Sequence, residues 1–111
     1  MKKADRIKIW KKYRGRCAYC GKCIDYQDMQ VDHIIPRRGG RYHAADAEEN
    51  LNPSCRRCNH YKRSHSLERF RQLVRTLDSR VNGHYINKVA LDYGIIEGVK
   101  PWDGVFYFEK F

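Results

Sequence analysis

Cys17-Ala18-Tyr19-Cys20 and Cys55-Arg56-Arg57-Cys58 enclose the stretch whose reading decides the fold, Gln30-Val31-Asp32-His33-Ile34-Ile35-Pro36. Each C-x-x-C offers two thiolates on one tight turn, and 34 residues separate the two turns. Two such knuckles can close a sulfur tetrahedron around Zn²⁺. Gly21 follows the first knuckle, where a turn often needs positive φ, and Pro53 precedes the second. The spacing predicts a structural zinc site on Cys17, Cys20, Cys55 and Cys58. Cys23 is left over as a small bystander thiol. The enclosed run is β-branched and ends at a proline, so it reads as a strand followed by a loop. An acid and a histidine stand side by side within it.

Two other metal arrangements fail on spacing. Cys17-x-x-Cys20 with His33 twelve residues on matches half of a zinc finger with two cysteines and two histidines, but the next histidine, His43, lies too far away. A zinc deaminase needs H-x-E and P-C-x-x-C; here Ser54 separates Pro53 from Cys55, and no His-x-Glu occurs.

After the strand comes a basic, glycine-rich turn, Arg37-Arg38-Gly39-Gly40-Arg41, and then an acidic patch, Asp46-Ala47-Glu48-Glu49. Asn50-Leu51-Asn52-Pro53 leads into the second knuckle, which opens into Asn59-His60-Tyr61-Lys62. In this order, from Cys17 to about Lys62, the chain resembles the HNH nucleases, also called ββα-metal or His-Me finger nucleases. The third signature position, often histidine, is Asn59, which makes this an H-N-N variant. An asparagine amide oxygen still suits a hard cation. The flanks are similar to small nucleases of phages and bacterial genomes, which implies the cytoplasm of a bacterial or phage-infected cell.

The resemblance implies an α+β fold built on a ββα-metal core. Two antiparallel strands carry Asp32-His33 and the Asn50 region. A helix starting near the second knuckle carries Asn59, and the four-cysteine zinc site sews the first knuckle to that helix. It also implies that His33 is the general base and that Asp32 and Asn59 hold a catalytic Mg²⁺ or Mn²⁺. Asn50 would pin the loop between the strands and help orient the histidine. Arg37, Arg38, Arg41 and Lys62 would grip the nucleic-acid backbone. The residue chemistry agrees. Phosphodiester hydrolysis needs a base near the working pH, which histidine supplies, and charge neutralisation at the phosphate, which a divalent ion supplies.

The flanks read as helices and a strand. Asp5 to Tyr13 is a short basic helix with Ile7 and Trp10 on one face, stopped by Gly15. Ser66 to Leu77 is amphipathic, with Leu67, Phe70, Val74 and Leu77 at helical spacing. Asn82-Gly83 is a break, and Tyr85 to Tyr93 is a further helix ended at Gly94. Val105-Phe106-Tyr107-Phe108-Glu109 is dense in β-formers and reads as a C-terminal strand.

The 111 residues suffice for one domain, with the motif core at about 17–62 and a helical and strand extension over 66–111. No apolar run approaches the roughly 18 residues of a membrane span, and no signal-peptide core follows the N-terminus, so an intracellular protein is expected. The net charge is +10. Residues 1–80 carry 20 basic and 9 acidic side chains, whereas residues 81–111 carry 3 and 4. That asymmetry fits a polyanion-binding surface with a neutral appendage. DNA is the expected partner, and charge alone leaves RNA open because phosphate contacts are blind to sequence. The chain is expected to act as a monomer or homodimer. A second reading is a non-catalytic zinc module that binds nucleic acid through its basic face, but such a module has no need of a base beside a metal ligand.

Overall fold

Strand β1 (Gln30–His33) forms where the β-branched run places it, and pairs antiparallel with β2 (Leu51–Ser54). The register sets Gln30 opposite Ser54, Val31 opposite Pro53, Asp32 opposite Asn52 and His33 opposite Leu51. The computed structural model describes residues 1–36 and 45–111. They form two compact units, Met1–Leu67 with Phe106–Phe111, and Glu68–Val105.

In the first unit, α1 (Lys3–Lys11) packs on β2, and α2 (Arg56–Lys62) packs on β1. Side-chain donors hold α1 in place. Lys12 Nζ reaches Leu51 O at 2.7 Å and Glu48 O at 3.1 Å, Arg6 Nη2 reaches Met29 O at 2.6 Å, and Trp10 Nε1 reaches Ile24 O at 2.9 Å. Ile9 is the residue that α1 buries, while Lys8 and Lys11 are exposed. The chain leaves the helix through Arg14 and Gly15, both at positive φ. The core collects Ile9, Ile24, Met29, Leu51 and Phe106 around the small sheet.

The C-terminal strand expected at Val105–Glu109 is absent. A 3₁₀ turn, Tyr107–Lys110, stands there instead. Its backbone docks on the first knuckle, Phe108 N donating to Ala18 O at 2.7 Å and Tyr107 N to Tyr19 O at 3.2 Å. The Glu109 carboxylate accepts from Phe106 N at 2.9 Å. Phe106 and Phe108 stack edge-on against Tyr19, with ring centroids 5.4 Å and 5.8 Å away. Aromatic residues that favour strands also favour any arrangement that buries their rings, and here the ring cluster overrides β propensity.

In the second unit, the helix expected from Ser66 to Leu77 forms as α3 (Leu67–Arg75), and a further short helix, α4 (Leu77–Asn82), follows it. Where α3 gives way to α4, Thr76 N still donates to Gln72 O at 3.2 Å, and Thr76 Oγ1 bonds back to Gln72 O and Leu73 O, both at 3.2 Å. Helix α5 (Tyr85–Asp92) follows the Asn82-Gly83 break and packs on α4. Among the described residues no helix is long and apolar enough to cross a membrane.

Candidate active site and metal centre

The sulfurs of Cys17, Cys20, Cys55 and Cys58 lie within 4.8 Å of one another. Cys20 Sγ and Cys55 Sγ are 3.9 Å apart, close to the roughly 3.8 Å edge of a tetrahedron with Zn–S near 2.3 Å. Local hydrogen bonds shape both knuckles. Gly21 N returns to Cys17 O at 3.0 Å with Gly21 at φ +80°, and Cys58 N donates to the Cys55 sulfur at 3.3 Å as that cysteine caps α2. Ala18 N donates to Pro53 O at 2.8 Å, so the first knuckle is tied to β2 as well. Four thiols this close cannot all ionise unaided. Hydrogen bonds from Cys20 and Cys58 lower the Cys17 thiol, and the same contact with Cys17 pushes Cys20 up to about 11 and Cys58 higher still. A divalent cation at the centre removes that conflict, and four cysteines in this arrangement fit a structural zinc site.

Consecutive strand residues face opposite ways. Asp32 turns inward and is 4% exposed. Its Oδ2 accepts from the Tyr19 hydroxyl and from Lys62 Nζ at 3.1 Å, and its Oδ1 lies 3.4 Å from the same ammonium. Burial, then the negative charge of Asp32, raise the Tyr19 phenol far above its ordinary value, so it remains a donor. Lys62 Nζ also donates to His33 O at 2.9 Å.

His33 turns to the other face. Its ring opens onto a groove of about 1010 Å³ lined by Asp5 and Lys8 of α1 and by Val31, Asp46 and Glu48. His33 Nε2 lies 2.8 Å from Asp46 Oδ1. Asn50 is buried just before β2. Its amide accepts from Ile35 N at 2.9 Å and donates to Ile35 O at 3.0 Å and Ala45 O at 2.8 Å. It therefore clamps together the two ends of the segment that joins β1 to the acidic patch. Asn59 is half-buried on α2, one turn before Lys62 and on the same side of the helix.

The expected phosphate contacts fare differently. Arg37, Arg38 and Arg41 lie outside the described residues. Lys62 does not face solvent at all, being 0% exposed and occupied by Asp32 and His33. The reading of Lys62 as a backbone grip is corrected accordingly. A buried ammonium needs an anionic partner, and the carboxylate of Asp32 supplies one. Sequence reasoning missed Tyr19 and Asp46. Tyr19 carries a weak signal, as an aromatic donor fixed between two zinc-site cysteines. Nothing in the spacing marks Asp46 as the partner of His33.

Residues 17–74 match the HNH endonuclease family. The chain belongs to the HNH endonuclease family. This HNH chain is 35% identical to the CRISPR-associated endonuclease Cas9 of Corynebacterium diphtheriae over 54% of its own length and 6% of that protein. It is 41% identical to the CRISPR-associated endonuclease Cas9 of Actinomyces naeslundii over 41% of its length and 4% of that protein. The crystal structure of the Type II-C Cas9 enzyme from Actinomyces naeslundii superposes with a TM-score of 0.55 and 30% identity, covering 71% of this chain and 10% of that one. The HNH chain therefore spans only a small part of these relatives.

Proposed function

We propose that this HNH chain is a divalent-ion-dependent endonuclease that hydrolyses DNA phosphodiester bonds. The observation that carries the reading is the pairing of a groove-facing His33 with the Asp46 carboxylate, on a strand whose preceding residue, Asp32, is held against the helix that bears Asn59. Asp46 accepts from Nε2–H, which leaves the Nδ1 lone pair to take the proton of an attacking water. Asp46 then stabilises the imidazolium that forms. Asn50 fixes the backbone at Ile35, two residues beyond the base, and so limits how far the histidine can wander.

The oxygen donors of Asp32 and Asn59 are of the kind a hard cation takes. Asp32 Oδ2 is anchored by Tyr19 and Lys62, while Oδ1 carries only the longer ammonium contact and keeps lone pairs for a ligand. Asp32 and Asn59 would hold Mg²⁺ or Mn²⁺ as one anionic and one neutral oxygen. When bound, that ion supplies charge neutralisation at the phosphate and at the leaving oxygen. The four cysteines hold Zn²⁺ as a frame, and the basic first unit supplies affinity for the polyanion. Incubation of supercoiled plasmid with Mg²⁺, Mn²⁺ or EDTA tests the reading. Relaxed or linear product with either ion and none with EDTA is expected. An intact plasmid under every condition leaves the zinc module that only binds nucleic acid as the better account.

A further inference from the structure

A lysine ammonium that is wholly buried must find an acceptor for each of its three protons. Lys62 finds three protein atoms, Asp32 Oδ2, Asp32 Oδ1 and His33 O, at 3.1 Å, 3.4 Å and 2.9 Å. It has no donor left over for a phosphate. The contacts have a particular consequence for chemistry. One ammonium grips the carboxylate of Asp32 and the main-chain carbonyl of the next residue, so the direction of the acid and the peptide plane at the base are set together. The second anchor of the carboxylate is the Tyr19 hydroxyl. Tyr19 sits between Cys17 and Cys20, and Lys62 ends the helix that starts from Cys55. Both anchors are therefore mounted on the sulfur frame, one on each knuckle.

We infer that Lys62 and Tyr19 are positioning residues for strand cleavage, fixing Asp32 and the backbone of His33 against the two knuckles without touching nucleic acid. The inference rests on the nuclease reading above. It separates binding from turnover in a way that neither a phosphate contact nor a plain core residue does. Lys62→Met keeps the aliphatic stem and removes a positive charge 3.1 Å from the acid, so a divalent ion should bind Asp32 at least as well while cleavage slows. Tyr19→Phe removes one hydroxyl and no charge, so it should weaken ion binding and cleavage together.

The experiment uses the full zinc-loaded chain and the two variants. Zinc content, DNA affinity across a salt series, Mn²⁺ binding by electron paramagnetic resonance and single-turnover plasmid cleavage are measured side by side. Both variants should keep one zinc and the wild-type DNA affinity and salt slope, and should lose about 10–100-fold in cleavage rate, the scale of lost ligand-orienting partners. Mn²⁺ affinity should hold or rise in Lys62→Met and fall in Tyr19→Phe. A weaker DNA affinity with a salt slope reduced by about one in Lys62→Met would make the lysine a phosphate contact and overturn the inference. Unchanged cleavage in both variants would overturn it too, while leaving the nuclease reading intact. If Lys62→Met fails to fold, Tyr19→Phe decides alone by the same readouts. A wild-type protein that neither cuts DNA nor binds Mn²⁺ would instead refute the nuclease reading, and the inference with it.

Discussion

Asn50→Ala should destabilise the protein through the loop it clamps. The side chain is 4% exposed and makes three hydrogen bonds, to Ile35 N, Ile35 O and Ala45 O. The Ala45 bond is buried, so its loss leaves a dry carbonyl and costs about 1–3 kcal/mol. The two Ile35 bonds are part-buried, so water can replace some of their worth and each contributes about 0.5–1 kcal/mol. The sum is about 2–5 kcal/mol, read as a lowered urea midpoint of the zinc-loaded protein at unchanged slope. Asn50→Asp refines the test. The introduced carboxyl can still accept from Ile35 N, but it turns an oxygen toward two carbonyls. Burial and those carbonyls hold its pKa above the unfolded value, so the folded state binds that proton more tightly. Asn50→Asp should therefore be worse than Asn50→Ala at neutral pH and recover part of the loss as pH falls toward that raised pKa. A loss below about 0.5 kcal/mol for Asn50→Ala would refute the clamp, because it would mean that water replaces all three bonds freely.

Other outcomes follow from the same geometry. Metal analysis should find one zinc per chain, and Cys17→Ser or Cys58→Ser should give insoluble or loosely packed protein, since zinc in such sites contributes on the order of 10 kcal/mol of coupled folding energy. Zinc retention should fall as pH drops and protons compete for the four thiolates, followed by a chromogenic chelator. Gly21→Ala forces a side chain onto φ +80° and sets its Cβ 3.0 Å from the Tyr107 ring, and should cost about 1–3 kcal/mol by urea unfolding. DNA affinity should fall steeply between low and high salt, by fluorescence anisotropy, because the basic first unit displaces counterions from phosphates.

What the sequence made legible is what short-range chemistry dictates. The knuckles and the strand at Gln30–His33 rest on spacing and local propensity, the helix bearing Asn59 rests on the family resemblance, and each forms. The C-terminal aromatic run misled because its fate depends on a partner far away in the chain, the knuckle ring of Tyr19. The helix read from Ser66 forms as α3, whereas α4 carries only Leu77 and Val81 as apolar residues, too few to mark it. Lys62 reads as a phosphate grip until the tertiary fold sets it against Asp32. Asp46 is one acid among several in a loop, and only the fold selects it as the partner of His33. The sequence thus marks the candidate groups Asp32, His33 and Asn59 and their cysteine frame, while Tyr19 and Asp46 are visible as partners only once the backbone has brought distant segments together.

The central claim is that His33 acts as the base of a hydrolytic site. It is tested most directly by single-turnover plasmid cleavage with His33→Ala beside the wild type, at matched zinc content and DNA occupancy. Loss of a general base typically costs about 10²–10⁴-fold, and the account predicts a drop of that size with fold, zinc and DNA affinity retained. A His33→Ala protein that cuts as fast as the wild type would contradict it.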